Sequence, residues 1–229
     1  TGLAICSESH VFYILNNQYR DFADINDYIM QKKILNLQER LENIVDLSYT
    51  ILCHKVASGG VVIYNEASLQ MQLGIILDSI GRMYQFDRKE CIRVELESPI
   101  QVPPTCKSKN GLARCDIRIT ISRGNSKAEA VIELKHLRKD PNEAVTDNRF
   151  SVIQDLENLE HYKSVFPKLK CYEIVYTDNI NHTINKGKNT INIGDGATIS
   201  GGINYTQGRV VNLANTHVFH WDIYNEHCF

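Results

Sequence analysis

The chain lacks the sequence features that define several large protein classes. Its 229 residues contain no apolar run of about 18 residues, so we expect no membrane-spanning helix. No basic stretch followed by an apolar segment opens the chain, so we expect no secretory signal. The phosphate-binding P-loop, the HExxH zinc motif, the GxSxG nucleophile motif and the glycine pattern of dinucleotide-binding folds are all missing. These absences exclude the main rival enzyme classes.

Cysteine pairs are also missing, although the chain has seven cysteines. They are widely spaced and form no CxxC pair, which is typical of reduced thiols in a cytoplasmic protein and makes a structural zinc site improbable. Hydrophobic residues make up 43% of the chain and charged residues 23%, as in an ordinary globular protein. A chain of this length is expected to form one large domain, with at most a modest addition.

Helical periodicity marks the first part of the chain. In residues 24–57, apolar side chains recur three and four residues apart, which predicts a mainly helical segment. A glycine pair at 59–60 breaks this pattern, and a second helix is expected to begin near Asn65, a good N-cap residue. We therefore predict an N-terminal, mainly helical extension over residues 1–60 and a core over residues 61–229. The expected buried stripe of the second helix is Leu69, Leu73, Ile76, Leu77 and Ile80.

Strand-like runs and one further helix follow. Short alternating or apolar runs predict strands at 92–96, 113–121, 128–137, 171–177 and 217–224. A helix is expected over 149–166, where Pro167 ends it. Residues 181–208 are rich in Asn, Gly, Thr and Ser, which predicts a loop or a mobile hairpin. This order of elements predicts an α/β fold with a mixed central sheet flanked by helices.

Two of these runs flank Gly124-Asn125, a dipeptide typical of two-residue hairpins. A turn centred there pairs residues whose numbers sum to 249, so Asp116 should face Glu133 with Cβ atoms roughly 5 Å apart. Lys135 should point to the same face, because side chains alternate along a strand. The opposite, packed face should collect Cys115, Ile117, Ile119, Ile132 and Leu134.

Two facing carboxylates repel each other, and a divalent cation would compensate for the repulsion. Mg²⁺ prefers a few carboxylate oxygens together with water and substrate phosphate. Beside such a metal, Lys135 could position or deprotonate the attacking water while the metal polarises the phosphoryl group. The alternative is a solvated hairpin face on which Lys135 pairs with one acid. We favour the metal centre because the acids are in register, on strands with apolar opposite faces, among basic residues.

This segment resembles the PD-(D/E)XK nuclease superfamily, whose restriction-endonuclease-like fold places an Asp and an (Asp/Glu)-x-Lys on neighbouring antiparallel strands. Asp116, Glu133 and Lys135 match that pattern, whereas Cys115 stands where the motif has proline. The resemblance covers roughly residues 65–177. It implies hydrolysis of DNA phosphodiester bonds with Mg²⁺ or Mn²⁺, as an endonuclease in restriction or anti-phage defence.

The resemblance also implies roles for two helical side chains. Glu66, on the helix before the sheet, would be a further metal ligand; it lies on the apolar stripe of its helix, where a carboxylate needs a partner. A first-turn acid favoured by the helix dipole is the alternative for Glu66. Gln154, on the helix after the Glu-x-Lys strand, would be a catalytic residue, but the family's Q-x-x-x-Y form is not matched because residue 158 is Asn.

A local excess of positive charge points to nucleic acid as the partner. Residues 107–127 contain six basic residues and one acid, although the whole chain has a net charge of −2. Arg114, Arg118 and Lys127 are candidates for phosphate contacts with DNA. A homodimer through the N-terminal helices is a further expectation, and no membrane or organic cofactor is expected. An RNase or structure-specific nuclease of the same fold, and a non-catalytic nucleic-acid-binding module, stay open as alternatives.

Overall fold

The computed structural model describes residues 2–7, 36–101, 112–138, 145–185, 191–205 and 208–223. In these segments the α-helices are α1 (Leu37–Ala57), α2 (Glu66–Met83) and α3 (Val145–Val165). The strands are β1 (Gly2–Ser7), β2 (Glu90–Gln101), β3 (Leu112–Arg123), β4 (Ser126–Leu137), β5 (Lys170–Thr177), β6 (Thr198–Asn204), β7 (Val210–Val218) and β8 (Trp221–Ile223). None of the helices described is both long and apolar enough to cross a membrane.

A mixed sheet forms the centre of the molecule. Strands β2, β3, β4 and β5 lie in that order, antiparallel except for the parallel pair β4–β5, and α3 supplies the crossover between those two. Beyond β5 the sheet continues into β1 and then β8, both antiparallel to their neighbours. Strands β6 and β7 form a separate two-stranded sheet. The mixed α/β architecture expected from the sequence is therefore confirmed.

Helices cover both faces of the sheet. On one face, the apolar stripes of α1 and α2 pack against Ile117, Ile119, Ile132 and Leu134. On the other face, α3 packs in a second core that includes Val131 and the buried side chains of β6 and β7. Each layer thus holds one face of β4, and a side chain on this strand meets a helix whichever way it points.

Capping side chains fix where the first two helices begin. Asn36 and Glu39 form a capping box at the start of α1, with both hydrogen bonds at 3.0 Å. Asn65 caps α2 as predicted, because its side chain accepts from the Ser68 N–H at 2.8 Å. The predicted stripe of α2 from Leu69 to Ile80 is buried, which confirms the period assigned to this helix. Glu66 is consequently the first residue of α2.

Some elements differ from the sequence prediction. Residues 2–7, at the start of the segment predicted to be a mainly helical extension, form a strand of the central sheet. Residues 24–35 of the predicted helix lie outside the described residues. For the Asn/Gly-rich stretch, a loop or a hairpin was predicted, and the structure pairs residues 198–204 with 210–218. The strand expected at 217–224 is divided between β7 and β8. The sparse apolar content of β6 concealed a strand, because only Ile199 and Ile203 of its seven residues are buried.

Two glycines of α2 provide a matched test of helix–sheet packing. An added Cβ at Gly81 would lie 2.8 Å from Cγ2 of Ile92, a stiff β-branched side chain, whereas at Gly74 it would meet Leu96 Cδ2 at 3.4 Å. Both changes gain similar helix propensity, so Gly81→Ala should be about 1–3 kcal/mol less stable than Gly74→Ala. Urea unfolding of the two variants measures the difference. Equal stability would contradict the close packing of α2 on β2.

Candidate active site

The hairpin register is the one that the sequence predicts. Its Cα partners run from Arg123–Ser126 to Ile117–Ile132, and every pair sums to 249. Gly124 occupies the turn with φ 57°, in the left-handed region that glycine adopts without strain. The regular ladder ends at the Ile117–Ile132 pair. The residues next in register, one step beyond that pair, are the two predicted metal ligands.

Beyond this pair, a side chain replaces a backbone carbonyl as the hydrogen-bond acceptor between β3 and β4. The Asp116 carboxylate accepts the backbone N–H of Leu134 at 2.6 Å. A side-chain oxygen thereby occupies a donor that a strand carbonyl would otherwise satisfy. Asp116 and Glu133 therefore lie where β3 and β4 stop pairing regularly, and the Asp116 carboxylate is held by β4 itself.

The neighbouring strand is irregular at the same level. Glu97 adopts φ 51°, an uncommon left-handed conformation for a residue other than glycine, and the β2–β3 pairing omits Glu97 and Asp116. Gln70 of α2 bridges the irregularity, because its amide donates to the Glu97 carboxylate at 3.1 Å and to the Asp116 carbonyl at 2.7 Å. Contacts from α2, β2 and β4 thus meet at Asp116.

One prediction about this strand is wrong. Cys115 was expected on the packed face with Ile117, but it is buried in the core on the α3 side, whereas Ile117 lies in the core against α1 and α2. The reason is the irregularity at Asp116 and Glu97, which interrupts the two-residue alternation of side chains.

Glu133 is a buried carboxylate held by α3. It is 2% exposed, and its Oε1 accepts the Tyr162 hydroxyl at 3.0 Å. Burial and the Glu133 charge raise the pKa of Tyr162 well above its ordinary value, so the phenol stays a donor. Burial and Glu133 also raise the pKa of the Cys115 thiol to about 12. The surroundings of Glu133 thus include two neutral side chains whose protons stay in place at neutral pH.

Lys135 lies between two carboxylates from different helices. Its Nζ is 3.2 Å from Glu66 Oε2 and 3.1 Å from Asp155 Oδ2, and its side chain is 16% exposed. Burial by itself lowers the pKa of Lys135, but Asp155, Glu66 and Glu173 together outweigh it and raise the pKa above its ordinary value. Lys135 is therefore an ammonium ion at neutral pH. This charge state suits a role in orienting water or phosphate and not a role as a general base.

Sequence analysis missed four of the side chains that surround this centre: Gln70, Asp155, Tyr162 and Glu173. Glu173 is fully buried on β5, in register with Glu133 on the parallel strand β4. A glutamate within the apolar run of β5 was an available signal, because a carboxylate in a buried strand needs a specific environment. Asp155, between the buried Ile153 and Leu156 on α3, carried the same signal.

The other predicted residues occupy different surroundings. On α3 the side chain that meets Lys135 is that of Asp155, the residue after the half-buried Gln154. Arg118 and Lys127 both pair with Glu129, at 2.7 Å each. Arg114 is exposed two residues before Asp116, and Lys107 and Lys109 of the predicted basic patch lie outside the described residues.

The donor chemistry of the two strand acids suits a hard cation. Mg²⁺ is commonly held by one or two protein carboxylates and completes its shell with water and phosphate oxygens. Asp116 and Glu133 are carboxylates that other groups already orient, as metal-ligating carboxylates usually are. In the part of the chain that the structure describes, no three His, Cys, Asp or Glu side chains form a ready metal cluster. Two carboxylates are fewer than such a cluster, but they suffice for Mg²⁺ when water and phosphate complete its shell. Glu66 reaches this centre through its contact with Lys135.

Comparisons of the chain with protein-family models, with curated proteins and with solved structures found no match. The local geometry around Asp116, Glu133 and Lys135 is therefore the main indication of function.

Removal of the Lys135 cation should destabilise the fold. Lys135→Met leaves the 1%-exposed Asp155 side chain without its cation, and breaking a buried pair costs about 3–5 kcal/mol. The double variant Lys135→Met/Asp155→Leu should recover most of that loss, because no buried charge of the pair remains. Chemical denaturation of the wild type and the three variants, including Asp155→Leu, measures the coupling.

A surface pair provides the control for this cycle. Arg82 and Asp78 are 73% and 44% exposed on α2, so Arg82→Met should leave the free energy of unfolding nearly unchanged.

The raised pKa of Lys135 predicts how its contribution to stability depends on pH. This contribution is complete below the unfolded-state pKa of about 10.4 and is lost only as the pH rises through the folded-state pKa. The difference in free energy of unfolding between the wild type and Lys135→Met should thus stay constant between pH 7 and about 10. A steady decline over that range would contradict the assigned charge state.

Proposed function

We propose that this protein is a metal-dependent nuclease that hydrolyses DNA phosphodiester bonds. In this proposal Asp116 and Glu133 hold Mg²⁺ or Mn²⁺, and Lys135 supplies a fixed positive charge beside them. The observation that carries the proposal is the charged Lys135, two residues after the buried Glu133, beside the point where the Asp116 carboxylate interrupts the β3–β4 ladder. Two carboxylates that can bind a hard cation and an ammonium ion lie where the regular β3–β4 pairing ends. This combination suits the hydrolysis of phosphodiester bonds.

Each side chain has a defined task in this mechanism. The bound metal would polarise the phosphoryl group and promote ionisation of the attacking water. Lys135 would donate to a phosphate oxygen or to that water, since its raised pKa keeps it protonated. Tyr162 would hold Glu133, and the Leu134 N–H would hold Asp116, so that neither ligand has to be oriented when substrate arrives.

The products and the biological role are proposed on the resemblance to the PD-(D/E)XK superfamily. Water would attack phosphorus and the 3′-oxygen would leave, which produces a 5′-phosphate and a 3′-hydroxyl. An endonuclease in restriction or anti-phage defence is the expected setting. The same centre suits RNA chemically, so the choice between DNA and RNA is an outcome of the assay.

Cleavage of plasmid, single-stranded DNA and RNA with Mg²⁺ or Mn²⁺ tests the proposal. Glu133→Gln and Asp116→Asn remove ligand charge while they keep size and an acceptor oxygen, so each should lower the cleavage rate by at least about 100-fold, with metal coordination carrying several kcal/mol of transition-state stabilisation. EDTA should abolish cleavage in the wild type, and added Mn²⁺ should restore it.

Glu95→Gln is the matched control, since Glu95 is a half-buried glutamate on β2 of the same sheet that pairs only loosely with Arg93, at 4.0 Å. Its rate should equal that of the wild type. Wild-type protein that cleaves none of the three substrates would refute the nuclease proposal. Full activity in folded Glu133→Gln would refute the assigned metal ligand.

A further inference from the structure

A basic pocket opens at the end of the sheet where the β3–β4 hairpin turns. It has a volume of about 680 Å³, within the usual range for ligand sites. Its walls come from the start of α1, the β3–β4 turn, the end of α3 and the start of β5. Six of its lining residues are cationic: Arg40, Arg123, Lys127, Lys163, Lys168 and Lys170. We call this site the basic pocket.

Among the described residues, the pocket lining contains no carboxylate, although acids outside it balance part of its charge. Arg40 is committed to a buried ion pair with Glu90 at 2.7 Å, so it contributes structure more than binding. Three other cations pair with acids at the surface: Arg123 with Asp87, Lys127 with Glu129, and Lys170 with Glu42. These partly exposed pairs exchange readily for a stronger anion, because such surface pairs are weak.

Lys163 and Lys168 are the least neutralised of the six. The ammonium group of Lys163 donates to the Leu169 carbonyl at 2.9 Å, and Lys168 is exposed in the turn before β5. Within the described residues, neither has a carboxylate in ion-pair range. Both therefore bring to the pocket a positive charge that none of the described acids neutralises through an ion pair.

The first turn of α1 adds amide donors to the same wall. Leu37 and Gln38 line the pocket and precede Arg40, whose N–H makes the first hydrogen bond of the helix, to the Asn36 carbonyl. Because Asn36 and Glu39 satisfy each other's N–H groups in the capping box, the first-turn donors left for an anion are the N–H groups of Leu37 and Gln38. Planar donors, flexible ammonium groups and helix amides together match the oxygen atoms of phosphate groups.

We propose that the basic pocket binds a ligand with closely spaced phosphate groups. Side chains on the described walls include no aromatic ring on which a base could stack, so recognition would be of phosphate and not of base. A nucleic-acid backbone and a free polyphosphate share this chemistry. Repeated phosphates suit a pocket whose cations come from four separate segments of the chain.

This pocket is separate from the carboxylate centre. Lys127 and Glu133 are six residues apart on β4, which corresponds to roughly 20 Å at about 3.3 Å per residue. The inference therefore does not depend on the proposed nuclease activity. It would hold for a protein that only binds phosphate-bearing ligands.

Binding assays in EDTA, where metal-dependent cleavage cannot occur, test the inference. The probes are inorganic tripolyphosphate, by calorimetry, and a labelled 20-base-pair duplex, by fluorescence anisotropy. The test variant is Lys127→Ala/Lys168→Ala, which removes two exposed side chains, and the control is Lys55→Ala, an exposed lysine at the end of α1 outside the pocket. Melting temperatures confirm that the variants are folded.

For at least one probe, the double variant should bind about tenfold more weakly than the wild type, and Lys55→Ala should not. With the duplex, the slope of log K against log salt should fall by nearly 2, one unit per lost cation. An effect on the duplex alone identifies a nucleic-acid backbone, and an effect on tripolyphosphate identifies a free polyphosphate. The inference is overturned if the double variant and Lys55→Ala bind both probes equally well.

Discussion

The partly buried ammonium group of Lys135 is the constraint around which the rest of the site is arranged. A cation with 16% exposure is tolerated only where carboxylates replace the water that it has lost, and α2 and α3 each provide one. Those helices lie on opposite faces of the sheet, so a single side chain of β4 ties both layers together. The same carboxylates keep Lys135 charged, which limits what it can do chemically.

The charge of Lys135 lies close to an interruption in the pairing of β3 with β4. Regular pairing of β3 with β4 stops at Ile117, and the next residue, Asp116, bonds to β4 through its side chain instead of its backbone. The left-handed Glu97 accommodates the same break on the β2 side, with Gln70 bridging the two strands. Backbone strain of this kind costs free energy and persists only where surrounding contacts enforce it. Here it is found beside the proposed metal ligands.

Local sequence signals predicted the parts of the molecule that depend on neighbours in the chain. Gly124-Asn125 set the hairpin register, and Asn65 set the start of α2, because turn and cap chemistry act over a few residues. Residues joined by tertiary packing were not found in this way. Asp155 meets Lys135 only because α3 crosses back over the sheet, and the pairing of residues 2–7 with β5 spans most of the chain. The misplacement of Cys115 came from one irregular pair of residues, which no alternation rule anticipates.

Direct titration with Mn²⁺ tests the central claim, that Asp116 and Glu133 form one metal site, without reliance on a substrate. Electron paramagnetic resonance of free Mn²⁺ against the wild type and folded Glu133→Gln measures the number of sites and their affinity. One site per chain in the wild type, weakened at least about tenfold in Glu133→Gln, is the result that a ligating Glu133 predicts. Equal binding by the two proteins, or no binding by either, would contradict the claim.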